Sequence, residues 1–233
     1  MTATSFDLVK TMNGVARSIG SPRDVAETLA SIASAAADAV PGVEHASVSI
    51  VDSDKQLTTL IPTDEFVAEA DKLQCALGEG PCLDAALGEP VVRSDDMRQE
   101  VRWPNYSPKA ADMGVGAQLA LHLYDENHSY GGLNLYYGRP GSITTDSADI
   151  AELFAMHAAL VMGHAREIDS LKKALATRKV IGAAIGIIME RYELDEDRAF
   201  EFLVRVSQTG NVKLRAVAEE IVSTGNERGR GKN

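Results

Sequence analysis

The chain has 233 residues and a net charge of -11, and 45% of its residues are hydrophobic while 24% are charged. This balance is typical of a globular protein with one or two cores, and the negative charge argues against wholesale coating of nucleic acid. The sequence shows neither an apolar run of about 18 residues nor a secretory leader, so we expect a cytoplasmic protein without a membrane partner.

Charge is divided unevenly along the sequence. Residues 166–233 hold 13 Lys and Arg against 11 Asp and Glu, whereas residues 1–165 hold 10 against 23. A mildly basic C-terminal part favours selective contact with phosphate, and the acidic N-terminal part discourages non-specific binding.

The first 140 residues show helical and strand periodicity in turn. The predicted elements are two helices within 3–40, a strand at 45–52 with a hairpin partner at 56–61 across Ser53-Asp54, a helix at 64–74, a helical turn at 83–87, a short strand at 90–92, and strands at 115–124 and 130–137. Loops are predicted at 78–81 and from Trp103. This order predicts a mixed α+β domain whose antiparallel sheet has one face covered by helices.

A long helix follows, from about residue 147 past residue 175, with Thr145-Asp146 as its cap. Eight residues recur at intervals of four and three, which is the seam of a coiled coil: Ile150, Phe154, His157, Val161, His164, Ile168, Leu171 and Leu175. We therefore expect a homodimer. His157 and His164 are either polar interruptions of the seam or a pair sensitive to pH, metal or phosphorylation.

Residues 176–222 have the pattern of three short helices. The apolar positions are Val180, Ile181, Ala184, Ile185 and Ile188 in the first, Ala199, Phe202, Leu203 and Val206 in the second, and Leu214, Val217, Ala218, Ile221 and Val222 in the third. Asp195 is predicted to cap the second helix, Gly210 to end it in the left-handed conformation, and Asn211 to cap the third.

The strings RKVIGAAIGIIMER, DRAFEFLVRVSQ and NVKLRAVAEEIV resemble the ANTAR domain, the RNA-binding output module of bacterial transcription antiterminators. The resemblance extends through Arg178, Ile181, Ala184, Gly186, Met189, Ala199, Leu203, Ser207, Asn211, Lys213, Leu214 and Ala218. One departure is Ile185, because many members carry Lys just before the glycine. Either a basic contact is missing or this position belongs to the core.

The strings LQCALGEGPCLDA, VVRSDDM, RWPNYSP and GGLNLYYGRPGSI resemble a GAF domain of the kind fused to ANTAR modules in actinobacterial regulators. This resemblance implies a central antiparallel sheet with a ligand-sized cavity on one face and helices on the other, and a small-molecule effector that the sequence does not name. The expected organisation is a GAF-like sensor at 1–145, a coiled-coil linker helix at 146–175, a three-helix ANTAR bundle at 176–223 and a disordered tail at 224–233.

Basic and amide side chains in the C-terminal part are the candidates for contact with RNA stem-loops, since Arg binds phosphate or stacks on unpaired bases and amides read base edges. They are Arg178, Lys179, Arg191, Arg205, Gln208, Asn211, Lys213 and Arg215. We expect them to form a patch around the turn between the second and third helices. The alternatives are a helix-turn-helix that binds duplex DNA, or a ligand-binding module whose helices only dimerise.

Cys75 and Cys82 are the only cysteines. They are either a ligand or redox site, if a low-pKa thiolate forms beside a second thiol, or small hydrophobic residues in a core. Asp95 and Asp96 are adjacent and are not expected to form a catalytic pair. No phosphate-binding glycine loop, nucleophile elbow or metal-protease motif is found, so we expect no enzyme and no metal, and no cofactor is indicated.

Overall fold

The computed structural model describes residues 25–51 and 57–230. The helix predicted in the first 20 residues and the turn at Ser53-Asp54 lie outside these ranges. The elements are α1 (Val25–Ala39), β1 (His45–Val51), β2 (Leu57–Pro62), α2 (Glu65–Leu77), α3 (Pro81–Ala86), β3 (Val91–Ser94), α4 (Ser107–Met113), β4 (Ala117–Tyr124), β5 (Ser129–Tyr137), α5 (Thr145–Tyr192), α6 (Glu196–Gly210) and α7 (Leu214–Arg230). The chain divides into two compact units, residues 1–165 and 166–233.

The first unit is built on a five-stranded sheet in the order β2-β1-β5-β4-β3, and each neighbouring pair is antiparallel. The predicted antiparallel sheet with flanking helices is therefore confirmed. Register is fixed by apolar alternation, as where Val48 pairs with Leu133 and Leu119 with Leu135. A one-residue slip would turn these buried side chains to the opposite face of the sheet.

Both faces of the sheet are covered, although the alternation predicted one covered face. On one face α1 and the first part of α5 pack through Leu29, Ile32, Phe154 and Ala158. On the other face α2, α3 and α4 pack around Tyr136. The prediction failed because small polar residues alternate with the apolar ones in β1, and a polar side chain in a strand is normally taken to face water.

The helix α4 was not predicted, since Trp103-Pro104-Asn105 indicated only a loop. Pro108 lies in its first turn, where the missing N–H is tolerated, and Gly114 ends the helix in the left-handed conformation with φ 108°. The helix buries Ala110 and Ala111 against the sheet. Pro108 therefore begins a short helix here.

The helix α5 has 48 residues, from Thr145 to Tyr192. The predicted linker helix and the first of the three predicted short helices are thus one continuous element. Its start is fixed by Thr144 and Ser147 rather than by Thr145-Asp146. The N–H of Ser147 donates to Thr144 Oγ1 at 3.1 Å and the N–H of Thr144 donates to Ser147 Oγ at 2.8 Å, which is a reciprocal cap.

The second unit is a three-helix bundle formed by the end of α5 with α6 and α7. Its buried residues are few, and half of them are alanine: Ala184, Ile188, Ala199, Leu203, Val217 and Ala218. Alanine at these positions allows the helix backbones to approach closely. The structure continues α7 to Arg230, whereas the sequence predicted a disordered tail from residue 224. Ser223 and Thr224 lie within the helix, and both of their hydroxyls are satisfied there because they donate to the Glu220 carbonyl.

Candidate functional site

The turn between α6 and α7 differs from its prediction. Asn211, rather than Gly210, adopts the left-handed conformation (φ 49°, ψ 40°), so Asn211 ends α6 instead of capping α7. Asparagine tolerates this conformation better than other residues with a side chain. Ser207 Oγ donates to the Val212 carbonyl at 2.6 Å and the Val212 N–H donates to the Ser207 carbonyl at 3.0 Å, which holds the turn closed.

The start of α6 agrees with its prediction. The Asp195 carboxylate accepts a hydrogen bond from the Arg198 N–H at 2.9 Å, and α6 begins at Glu196. The preceding helix ends at Tyr192, as predicted. These two breaks fix the length of the connection between α5 and α6 at three residues, so the two helices fold back on one another.

All eight predicted RNA-binding residues are exposed. Arg215 is already engaged, because its Nε lies 2.7 Å from Glu219 Oε1 and its Nη1 lies 3.4 Å from Thr177 Oγ1. Five others form no ion pair with any residue that the structure describes: Arg178, Lys179, Arg191, Arg205 and Lys213. Their positive charge is therefore available to a phosphate ligand.

These residues do not form a single cluster. The contact between Thr177 and Arg215 places the start of α7 beside the segment of α5 that carries Arg178 and Lys179. Arg191 lies at the other end of that segment, about 20 Å along the helix at 1.5 Å per residue. The predicted patch around the turn can include Arg178 and Lys213, but it cannot include Arg191.

Ile185 is half-buried and packs against the small core of the bundle. Of the two readings of this departure, the structure supports a core position. The isoleucine adds apolar contact to a core that has few large side chains.

Sequence periodicity assigned Phe202 and Val206 to the core of the bundle. The structure exposes 38% of Phe202 and leaves Val206 similarly exposed. The ring of Phe202 lies 5.4 Å from that of Tyr192, which is 52% exposed. Aromatic residues were not among the predicted RNA contacts. The sequence signal that could have indicated them is an apolar stripe on α6 that is wider than the small core of the bundle can bury.

The covered face of the sensor sheet beneath α2 and α3 contains a buried polar cluster. Tyr136 Oη donates to Asp71 Oδ1, and Thr59 Oγ1 donates to Asp71 Oδ2 at 3.0 Å. Asn134 Nδ2 donates to Ser47 Oγ at 3.1 Å. Burial raises the pKa of the Asp71 carboxyl, and hydrogen bonds from Ser47, Tyr136 and Thr59 oppose that rise.

The two cysteines border this cluster and are not joined by a disulfide. Cys82 is buried near the start of α3, where its N–H donates to Gln74 Oε1 at 2.9 Å and its Sγ accepts from Asn134 Nδ2 at 3.0 Å. Burial raises the pKa of the Cys82 thiol far above its usual range, with the Asp71 charge adding to the rise. Cys75 lies on the exposed side of α2. Partial desolvation and, to a smaller extent, the negative charge of Asp71 also raise the pKa of the Cys75 thiol.

Both shifts oppose formation of a thiolate, which is the reactive form in redox chemistry. The ligand or redox role of Cys75 and Cys82 therefore stays a prediction without electrostatic support. Among the described residues, no group of three or more His, Cys, Asp or Glu side chains is arranged to hold a metal ion.

A groove of about 440 Å³ lies on the sensor unit between the edge of the sheet and the first part of α5. It is lined by Val91 and Leu121 on the sheet side and by Met156 and Ala159 on the helix side. Its volume falls within the range of small-molecule sites, which is about 300–1,000 Å³. The groove is separate from the polar cluster, since the two lie on opposite faces of the sheet.

The predicted coiled-coil seam is used differently along its length. Phe154 and Val161 are buried in the core of the sensor unit. In the second unit Ile168, Leu171 and Leu175 are half to two-thirds exposed. The His157 ring donates through Nδ1 to the Leu153 carbonyl of its own helix at 2.7 Å, so this nitrogen is already engaged.

Comparisons with known proteins agree with this architecture. The family model of the GAF domain matches residues 22–162, and that of the ANTAR domain matches residues 169–222. No curated protein sequence matches the chain. Within the part of the chain that the structure describes, no helix has the length and apolar character needed to cross a membrane.

Solved structures share the fold of the sensor unit at low identity. The GAF domain of a phosphoenolpyruvate-protein phosphotransferase from Coxiella burnetii is 13% identical, over 72% of this chain and 99% of that domain, with a TM-score of 0.58. A bacteriophytochrome chromophore-binding domain from R. palustris is 12% identical, over 72% of this chain and 64% of that one, with a TM-score of 0.56.

The free methionine-R-sulfoxide reductase of Neisseria meningitidis is 12% identical over 72% of this chain and 95% of that one, with a TM-score of 0.54. These structures thus include a chromophore-binding domain and an enzyme, so their likeness establishes the fold alone. The GAF domain is a sensor module, and the ANTAR domain is an RNA-binding module of transcription antiterminators. The GAF family model matches more than half of the residues in this chain. The chain therefore belongs to the GAF family, and an ANTAR domain follows the sensor domain.

Proposed function

We propose that this protein is a signal-responsive transcription antiterminator. The ANTAR module binds stem-loops in mRNA leaders and prevents a terminator from forming, and the GAF domain controls that binding in response to a small-molecule effector. The protein works in the cytoplasm, where transcripts emerge. The observation that carries the proposal is the ANTAR match over residues 169–222. The surface of this module supports it, because five basic side chains there have no ion pair among the described residues.

RNA is favoured over duplex DNA by the surface of α7. A recognition helix for the major groove presents several long polar or basic residues. Here Arg215 is tied to Glu219, and Glu220 is exposed beside them. A helix inside a groove has phosphates on both sides, so these carboxylates disfavour that mode of binding more than they disfavour contact with the unpaired bases of an RNA loop.

The proposed protein is a homodimer through α5. The exposed residues Ile168, Leu171 and Leu175 supply the seam in the second unit, because the seam positions Phe154 and Val161 are buried in the sensor core. A second copy presents a second RNA-binding module, and paired engagement of two stem-loops raises the overall affinity.

Fluorescence anisotropy with the full chain tests the RNA function. A tandem stem-loop RNA and a duplex DNA of matched length are titrated over a range of salt, with and without a library of small metabolites. We expect tighter binding to the RNA with a salt-dependent affinity. Equal or tighter binding of the duplex would instead identify a DNA-binding regulator. If neither nucleic acid binds in any ligand state, the protein is a ligand-binding module whose helices only dimerise.

Sedimentation analysis tests the dimer separately. Leu171→Glu places a charge in the proposed seam and should shift the protein towards the monomer. Leu87→Glu is the matched control, since Leu87 is exposed on the sensor unit outside the seam. A dimer that survives Leu171→Glu would exclude this seam.

A further inference from the structure

Tyr192 and Phe202 form an aromatic pair on the surface of the bundle, outside its core. The rings of Tyr192 and Phe202 lie 5.4 Å apart with an interplanar angle of 37°, and both are substantially exposed. Exposing two large rings loses the free energy that their burial would contribute. Exposed aromatic residues next to positive charge are typical of surfaces that bind unpaired nucleotides.

The segment from residue 190 to residue 205 carries six carboxylates against three arginines, but two of those arginines lie on the face of α6 that carries the Phe202 ring. Arg198 and Arg205 stand four residues before and three residues after Phe202, so they share its face of α6. Arg198 is held 3.6 Å from Asp195, whereas Arg205 has no ion pair among the described residues. An apolar partner helix would find a guanidinium on each side of the ring, while a nucleotide offers the phosphate that such groups bind.

The site lies apart from the basic residues at the other end of the bundle. Thr177 touches Arg215 there, and Tyr192 is 15 residues further along the same helix, about 22 Å away. A stem-loop that reached both ends would place its stem phosphates on one and its loop on the other. The separation of Arg191 from the other basic candidates then has a physical explanation.

We propose, building on the RNA-binding function above, that Tyr192 and Phe202 form a stacking platform for an unpaired base of the bound RNA loop. Arg205 holds the phosphate beside that base. The platform recognises single-stranded nucleotides, because a base inside a duplex has no free face to stack. The binding energy comes from ring contact rather than from hydrogen-bond readout, so the preference for a particular base is weak.

The variant Phe202→Leu tests the platform, because leucine keeps apolar contact with the bundle and removes the ring. Phe200→Leu is the matched control, since Phe200 is 43% exposed on the same helix but two residues away, about 200° around its axis. The probe is the tandem stem-loop RNA with 2-aminopurine at successive loop positions. Stacking on a ring lowers the fluorescence of this base analogue.

We expect Phe202→Leu to raise the Kd for the RNA at least about five-fold, as the loss of one base-aromatic stack implies. It should also restore the 2-aminopurine fluorescence at one loop position, while Phe200→Leu changes neither. Both variants should keep the wild-type melting temperature within a few degrees. Tyr192→Leu removes the second ring and is measured in the same way. If neither Phe202→Leu nor Tyr192→Leu changes the Kd or the 2-aminopurine fluorescence, the platform is excluded.

Two further outcomes would also overturn the platform and are told apart by the wild-type protein. If wild type binds no stem-loop RNA, the proposed function itself fails. If wild type binds RNA and Phe202→Leu changes the sedimentation coefficient but not the RNA affinity, the ring pair is an interface between two copies. In that case the antiterminator function stands without this platform.

Discussion

The sensor unit buries Asp71, Gln74, Gln118 and Asn134 on the sheet face that α2, α3 and α4 cover, whereas every fully buried residue in the bundle between residues 166 and 224 is apolar. The charges of the bundle lie on its surface instead. Buried polar groups fix a single arrangement when they are satisfied, and exposed ones are available to a partner. The sensor unit therefore carries its chemistry inside and the ANTAR unit carries it outside, which suits a ligand for one and RNA for the other.

The core of the bundle is smaller than the core of the sensor unit. A leucine-to-alanine substitution made in each core tests the effect of this difference on stability. Leu203 and Leu135 are each fully buried, the first in the bundle and the second in the sheet. Leucine-to-alanine changes in a core cost about 2–5 kcal/mol. Because the bundle has only a few large buried side chains, we expect Leu203→Ala to unfold the ANTAR unit and abolish RNA binding.

Hydrogen exchange measured by mass spectrometry checks this prediction along the chain. Leu203→Ala should remove protection from the bundle and leave the strands protected. Leu135→Ala should weaken the strands and leave the bundle protected, with RNA affinity retained. Unfolding of both units by either variant would show that the contrast between two independent cores is wrong.

A second prediction concerns the pH dependence of the sensor unit. Burial raises the pKa of Asp71 above its usual value, so the folded state binds this proton more tightly than the unfolded chain does. The resulting stabilisation is fully present below the unfolded pKa near 3.8 and is lost as the pH rises towards the folded pKa. Wild type should therefore lose stability relative to Asp71→Asn as the pH rises from this value.

Urea unfolding of the sensor unit over a series of pH values measures that difference. Asparagine keeps the shape of the side chain and cannot ionise, so the Asp71→Asn curve should lack this component. Asp112→Asn is the control, because Asp112 is exposed and pairs with Arg98 only at 3.4 Å. Parallel pH profiles for wild type and Asp71→Asn would mean that the buried carboxyl does not titrate differently on folding.

A third prediction concerns the exposed charges of the bundle. Arg205→Ala and Lys213→Ala should each weaken RNA binding at least about ten-fold, as the loss of a hydrogen bond to a charged group, worth about 1.5–3 kcal/mol, implies. Their stability should stay within about 0.5 kcal/mol of wild type, because both side chains are exposed. Each lost phosphate contact should also lower the slope of affinity against salt by about 0.7.

Arg215→Ala provides the comparison within the same surface. Its guanidinium is already engaged by Glu219, so we expect a smaller loss of RNA affinity than for Arg205→Ala. Anisotropy titrations and thermal melts of the three variants decide the matter. If Arg205→Ala and Lys213→Ala unfold the bundle, these residues are structural rather than RNA contacts.

Much of the fold follows from periodicity in the sequence. Most strand and helix positions, the Asp195 cap and the apolar face of α7 were predictable, because each is set by neighbours a few residues away. The helix α4 is the exception. The left-handed conformation falls at Asn211, one residue later than the sequence predicts, because either Gly210 or Asn211 can adopt it. The choice depends on Ser207 closing the turn from the preceding helix.

The interior of the sensor was harder to predict. Ser47 and Asn134 lie 87 residues apart in the sequence and meet only because β1 pairs with β5. Nothing near either residue indicates burial. The surface of the bundle posed the reverse problem, since the helical spacing of Phe202 indicates an apolar face, but the small core leaves this ring partly outside. Local patterns thus locate elements, whereas burial depends on how much each element has to cover.

The smallest expected effect compares two glycines of the single helix α5. A Cβ added at Gly186, in the ANTAR unit, would meet nothing within 4 Å, while one at Gly163, in the sensor unit, would lie 3.1 Å from Tyr130 Oη. Alanine in a helix interior is favoured over glycine by about 0.8–1.0 kcal/mol. Gly186→Ala should therefore stabilise the bundle by nearly that amount, and Gly163→Ala should gain less because the tyrosine must move. Thermal unfolding of the full chain measures both, and a destabilising Gly186→Ala would show that this open surface is covered by a partner in the folded protein.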